Sequence, residues 1–420
     1  MTAVAHRVAH RRVKDPRGFT LVEMLITMAI TTIVLGATMV AMNNATSATQ
    51  TATQVGDLNN TLRTAMDLMV RDALQVGQGL PPGRRIQIPN GANSQTIQLP
   101  GPLGSDYTYD GPSFCPARAS DNDTVCEQIS AVVPGPGRGP TLNGQPTDMI
   151  TLIQADSSFD TVDLVAFAAD GRSVTVALPC PASGSCNTAT TGPGGRRISD
   201  SPDVDSDNVR AGDLIMLSKG SLSALVEVSG VTGQVISFGA NDALRLNQTS
   251  AADGTTVGLR NADPPDVLPS PQPATPVYLM QSHASRIRMI SYYLDVETDA
   301  LHPRLIRRIG NGGVWNDFDN ANGTVVAFDI ENLQFTYDLS DGVTNPSNVR
   351  MNDADMGGTG ACAPARCYAE QVRKINIYLS GRSRLPRKAS TQYFRQRLVT
   401  QVSLRSLSFV DKYRDPVITP

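Results

Sequence analysis

The segment Arg17-Gly18-Phe19-Thr20-Leu21-Val22-Glu23 decides how this chain is read. A basic stretch ends in glycine, and an almost wholly apolar run follows, in which Glu23 is the one formal charge between Phe19 and Met42. That run has the roughly 20 residues of a membrane-spanning helix. A carboxylate inside such a helix is costly unless it finds a partner, so Glu23 marks a functional site. Upstream, Arg7, Arg11, Arg12, Lys14 and Arg17 stand against Asp15 alone, which holds that end on the cytoplasmic side. A secretory signal peptide has a shorter apolar core, followed by a cleavage site of small residues. Here the helical pattern runs on instead. Leu58, Leu62, Met66, Met69, Ala73 and Val76 recur at spacings of three and four, Gly56 interrupts mildly, and Gly77, Gly79 and Pro81-Pro82 end the pattern. The spacing predicts one helix over 19–77, near 90 Å long at about 1.5 Å per residue, with 19–42 in the membrane.

At 420 residues the chain can hold one large domain or two ordinary ones. The formal net charge is −3, and residues 1–18 are strongly basic, so the remainder is acidic. An acidic body argues against a nucleic-acid partner, which requires a basic face. Aromatic residues make up only 5% of the chain, too few for a platform that stacks bases or sugars. The six cysteines form three close pairs, Cys115/Cys126, Cys180/Cys186 and Cys362/Cys367. An even number in loop sequence reads as local disulfides in an oxidising compartment. The rival zinc reading lacks a C-x-x-C and a histidine near any pair.

Residues 79–146 are rich in turn signals, among them Pro89-Asn90-Gly91, Pro134-Gly135-Pro136-Gly137 and Asn143-Gly144. Strand candidates follow at Met149–Gln154, Val162–Phe167 and Val174–Leu178, then at Asp213–Ser218, Leu222–Val228 and Gln234–Phe238. A proline-rich stretch, Ala262–Pro276, separates these from a third group. In that group Ser285–Val296 alternates as a half-buried strand with Arg304–Ile309 as its hairpin partner; Val325–Leu339, Val372–Ser380 and Arg397–Phe409 complete it.

Gly18-Phe19-Thr20-Leu21-Val22-Glu23 on its basic leader resembles the prepilin motif of type IV pilins and type II secretion pseudopilins. The resemblance implies an α+β, pilin-like fold: a long amino-terminal helix, transmembrane and then amphipathic, packed on an antiparallel sheet with an enlarged loop-rich β body. It implies a leader at 1–18, the helix at 19–77, a variable body at 78–275 and a carboxy-terminal pilin-like sheet region at 276–420. In that family a prepilin peptidase cuts after the glycine and methylates the new amino terminus, which carries over to a cut between Gly18 and Phe19 and methylation of Phe19. Glu23 would then neutralise the amino terminus of a neighbouring subunit and set its register, since pairing two buried charges removes most of the penalty of either alone. The carboxy-terminal strands, with Glu331-Asn332-Leu333-Gln334-Phe335, and the upstream Leu68-Met69-Val70-Arg71-Asp72-Ala73 resemble PilW-like minor pilins. The expected role is a minor pilin at or near a filament tip, initiating or supporting pilus assembly. Its expected partners are prepilin peptidase, the other minor and major pilins, the inner-membrane assembly platform and the membrane itself. The body would lie in the periplasm before assembly and in the surface filament after it. A J-type pseudopilin of type II secretion fits the same helix, and a filament-displayed adhesin or DNA-binding module remains open through the basic cluster Arg382, Arg384, Arg387, Lys388, Arg395 and Arg397.

No resident cofactor is implied. Asp203, Asp205 and Asp207 alternate in a way that can converge on Ca²⁺, and Asp353 and Asp355 beside Gly357-Gly358 form a weaker set of the same kind. Both lack the full ligand pattern of a calcium loop, and a solvated acidic turn is the simpler reading. For an enzyme the inventory is poor. Outside the leader only His283 and His302 remain, and G-x-S-x-G, H-E-x-x-H and the phosphate-binding loop are all missing. Gly192-Pro193-Gly194-Gly195 is glycine-rich but interrupted by proline, which suits an exposed loop.

Overall fold

The computed structural model of the chain describes residues 18–80, 85–89, 97–99, 107–109, 128–157, 159, 161–168, 170–176, 178–179, 191–192, 209–219, 222–240, 242–247, 282–296, 299–310, 323–340, 342–386 and 392–408. Leu21–Gln75 form one helix of 55 residues, about 80 Å long at 1.5 Å per residue. It stops slightly short of the predicted end because Gly77 and Gly79 take positive φ, 76° and 73°, and turn the chain back. The Gly77 amide donates to the Ile153 carbonyl, which pins the turn to the sheet below. A Cβ at Gly77 would sit 2.5 Å from the Leu407 side chain, so glycine is required there by both conformation and space.

The helix divides by what touches it. Every residue from 18 to 46 is exposed, including Phe19 at 77%, Ile33 at 71% and Met42 at 73%. From Leu58 onward, Leu58, Leu62, Ala65, Met66, Met69, Ala73 and Val76 are buried in the body. The exposed half contains threonines, and their hydroxyls do not stay open: Thr27, Thr31, Thr32 and Thr38 each donate to a carbonyl three or four residues back. This internal bonding lets a hydroxyl enter hydrocarbon without an orphaned donor.

The body is mostly antiparallel β-structure. Its larger sheet has 13 strands among the described residues and is organised around Ser282–Asp295, a strand of 14 residues. One edge of that strand pairs first with Val162–Phe167 and then with Met149–Ala155; the other pairs first with Leu214–Lys219 and then with Arg304–Gly310. It therefore spans two hydrophobic clusters. Ala284 joins the smaller one, with Ile215, Leu217, Val226 and Phe238, while Ile287, Met289, Ile290 and Tyr292 join the main core. The sheet draws on both sides of residue 275, since its central strand lies beyond that position with three of its four partners before it and one after.

Ile330–Leu339, Val372–Arg382 and Arg395–Ser403 form a separate antiparallel sheet in that order. The sequence predicts Val325–Leu339 as one strand, but the chain breaks at Asp329, which adopts φ 59°. Thr324–Phe328 joins the larger sheet and Ile330–Leu339 the smaller. The last strand also differs from its predicted span: it ends at Ser403, and a helical turn, Arg405–Ser408, brings Leu407 against the end of the long helix. Asp148 fastens the two sheets together. Its buried carboxylate accepts from the Gly137 and Phe335 amides at 2.8 and 2.9 Å and from Arg350 at 2.8 Å. The helix and both sheets meet where Met69, Ala73, Ile150, Tyr292, Phe335 and Ile377 line a small apolar gap.

Beside the smaller cluster, Glu227 is buried against residues 242–247. Its Oε2 accepts from the Leu244 amide, and its backbone is gripped by Asn247 from both directions. Burial, together with the negative charge of Asp242 beside it, pushes the Glu227 carboxyl up from 4.5 to about 7; burial also pushes Asp213 up from 3.8 to about 6. Each binds its proton more tightly in the fold than in the unfolded chain. Their contribution is therefore fully present below the unfolded values and is lost as pH rises through the folded ones. We predict that Glu227→Gln removes a loss of stability on the order of 1–3 kcal/mol between about pH 5 and pH 8. Melting curves of wild type and variant across that range check it; parallel curves would contradict it.

Candidate functional site

The helix amino terminus is built from its own side chains. Thr20 has extended backbone, and its Oγ1 accepts from the Glu23 amide at 3.2 Å. The Glu23 carboxylate reaches back, accepting from the Thr20 amide at 3.3 Å and from the Thr20 hydroxyl at 3.2 Å. Two otherwise orphaned donors are satisfied reciprocally, and the negative charge sits at the positive end of the helix dipole. Phe19 precedes this cap directly, so an amino group freed at Phe19 would lie one residue from a capped carboxylate. Gly18 is exposed, and a Cβ built there meets nothing within 4 Å.

At the other end, one charge locks the helix to the body. Asp72 is 3% exposed. Its Oδ2 accepts from the Tyr292 hydroxyl at 2.6 Å and from Arg307 Nε at 2.6 Å. Burial and the adjacent Asp72 carboxylate both raise the Tyr292 hydroxyl, which keeps it a donor. For Arg307, burial works against the charge, but the hydrogen bond to Asp72 and its negative charge outweigh it and raise the guanidinium. Sequence resemblance pointed to the stretch around Asp72 but not to this role. The signal was available: Asp72 is a carboxylate on the apolar stripe, three residues past Met69, and a buried charge requires a partner.

The remaining sequence candidates fall out differently. Cys362 and Cys367 form a disulfide with Cα atoms 5.4 Å apart; Cys115, Cys126, Cys180 and Cys186 lie outside the described residues, as do Asp203, Asp205 and Asp207. Asp353 opens the short helix Asp353–Met356. Asp355 closes a capping box with Asn352, and its Oδ1 accepts from the Ala361 amide. Among the described residues no group of three or more metal-binding side chains converges.

Two of the six cations of the basic cluster share one carboxylate. Arg395 makes two bonds to Glu331 at 2.7 and 3.1 Å; Arg382 lies 3.6 Å from the same carboxylate and stacks 4.5 Å over Tyr393. Arg384 and Arg397 have no partner among the described residues, and Arg387 and Lys388 fall outside them. The two histidines each pair with an aspartate: His283 with Asp163 at 2.8 Å and His302 with Asp329 at 2.5 Å. Among the described residues neither ring bonds a serine, threonine or cysteine through its second nitrogen, so neither pair extends to a nucleophile.

Against known proteins, residues 14–39 match the model described as the prokaryotic N-terminal methylation motif. No curated protein matches the chain, and no solved structure matches it. The matched residues hold Gly18, Phe19, the Thr20–Glu23 cap and most of the bare apolar helix. They support a type IV pilin-like or pseudopilin-like protein, a substrate of prepilin peptidase with a structural task.

Proposed function

We propose that this chain is a minor pilin, PilW-like in its carboxy-terminal strands, which primes or supports a type IV filament near its tip. Prepilin peptidase cuts between Gly18 and Phe19 and methylates Phe19. The apolar helix then holds the subunit in the inner membrane with its body in the periplasm, until the assembly platform moves it into a filament. Other minor and major pilins are its neighbours there, and their helices replace lipid around Phe19–Met42.

The observation that carries this reading is the bare helix half. Every apolar side chain from Phe19 to Met42 is exposed, on a helix whose other half is fixed in a folded body. At about 1.5 Å per residue that stretch rises about 36 Å, enough to cross ~30 Å of hydrocarbon. In a plain anchor Glu23 would only cap the helix with Thr20, whereas a bundle of such helices gives its carboxylate a further use, meeting a neighbour's amino terminus. A body of this size obstructs close helical repetition, which suits a few copies at one end rather than a shaft.

Glu23→Ala separates processing from assembly. The variant is expected to be cut like wild type, to stay in the membrane fraction, and to be missing from filaments sheared off the cell. Recovery of the variant in sheared filaments at wild-type yield would remove assembly by Glu23 from this account.

A further inference from the structure

The smaller sheet has one closed edge and one open edge. Along Ile330–Leu339 the outer side is occupied: the Asp148 amide donates to the Leu333 carbonyl, the Phe335 amide bonds the Asp148 side chain, Tyr337 and Val349 exchange both bonds, and the Leu339 amide reaches the Pro346 carbonyl. At the other side, Arg395–Ser403 pairs with Val372–Arg382 in continuous register from Arg395 to Ser403. Among the described residues nothing pairs with its outer side. Natural edges are blunted by proline, bulges, short length or charge along the strand. This one has nine residues, no proline and no bulge, and its charges are confined to Arg395 and Arg397 at its start. Val399 is 52% exposed in its centre.

We propose that this edge docks an extended acidic segment of a different protein chain, which adds a fourth strand to the sheet. Backbone groups supply the affinity in such an addition, and alternate side chains supply the selection. Arg395 is already held by Glu331, so Arg397 is the free cation on the edge among the described residues. It selects a carboxylate opposite it, and Val399 selects an apolar, β-branched neighbour one step along the same face.

A second copy of this chain does not extend this sheet. The closed edge rules out head-to-tail addition through it, because the open edge of one copy meets the occupied Ile330–Leu339 edge on the next. Symmetric pairing of two open edges fails for another reason. The long helix runs alongside the strand in the same direction, with Leu58 against Gly381, the partner of Gln396, and Gly77 against Leu407. Antiparallel pairing of two such strands turns the helices to point opposite ways, which two subunits anchored in one membrane cannot do. That last exclusion rests on the proposed anchoring; the open edge itself does not.

The test uses the full chain in lipid nanodiscs and three synthetic nine-residue probes of alternating Thr and Val: one carrying two glutamates, one carrying two lysines, and the glutamate peptide with proline at its centre. Hydrogen exchange at 395–403 reads strand addition directly, whether or not the protein enters filaments. The glutamate peptide should slow exchange there about tenfold, the lysine peptide should not, and Arg397→Glu should reverse the preference. The exposed position of Arg397 keeps that substitution from disturbing the fold. Equal protection by the glutamate and lysine peptides, protection by the proline peptide, no protection by any, or self-association that protects the edge without peptide would each overturn the proposal.

Discussion

Asp72→Ala is expected to unseat the helix from the body, at a cost of about 3–5 kcal/mol. Removing the carboxylate leaves Arg307 as a largely buried cation and Tyr292 as a buried hydroxyl, with the bonds of both directed at an empty position. Arg307 is 19% exposed, so some relief through water places the loss toward the lower end of that range. Since a domain is stabilised by only 5–15 kcal/mol in total, even that end is a large fraction. Denaturant titrations of Asp72→Ala, Arg307→Ala and the double variant measure it. The double variant should be less damaged than the sum of the two singles, because the second removal takes away an already orphaned group. Additive losses, or a loss of under about 1 kcal/mol for Asp72→Ala, would show that apolar packing alone seats the helix.

Gly18→Val is expected to leave the chain uncut, with leader and body still joined in the membrane. The prediction is clean because the substitution has no folding consequence of its own: Gly18 is exposed, outside the helix, and an added Cβ touches nothing. Any effect must arise where the segment enters a protease cleft, where the branched side chain meets walls that glycine, with no Cβ, clears. Immunoblots of membrane fractions distinguish precursor from mature chain by size. A fully processed Gly18→Val variant would place the cut elsewhere.

Much of this architecture is legible in the residues. The apolar run and the three-and-four spacing of Leu58, Leu62, Met66, Met69 and Ala73 specify a helix whose two halves face different surroundings, and the structure shows that division. Strands such as Val162–Phe167 and Arg304–Gly310 follow from alternation and bounding turns. What pattern could not reveal is pairing between distant segments. Beyond the hairpin partner Arg304–Gly310, nothing local says that Ser282–Asp295 takes three more partners, because their register is decided by residues more than 60 positions away. Asp329 was hidden for another reason: a non-glycine residue at positive φ is held by its surroundings, here His302 and the Arg382 amide, rather than by its own preference. The basic cluster shows the same limit of local pattern. Six cations close in sequence suggest a patch, but Glu331 lies across the sheet and takes up two of them.

The central claim is that the chain is cut at Gly18 to release a charged amino terminus beside Glu23. Mass determination on the amino-terminal peptide of protein isolated from membranes tests this most directly. The account predicts a chain beginning at Phe19 and carrying one methyl group on its α-nitrogen. A chain that begins beyond Met42 would make the apolar run a discarded signal, and a retained leader on protein recovered from filaments would contradict the account outright.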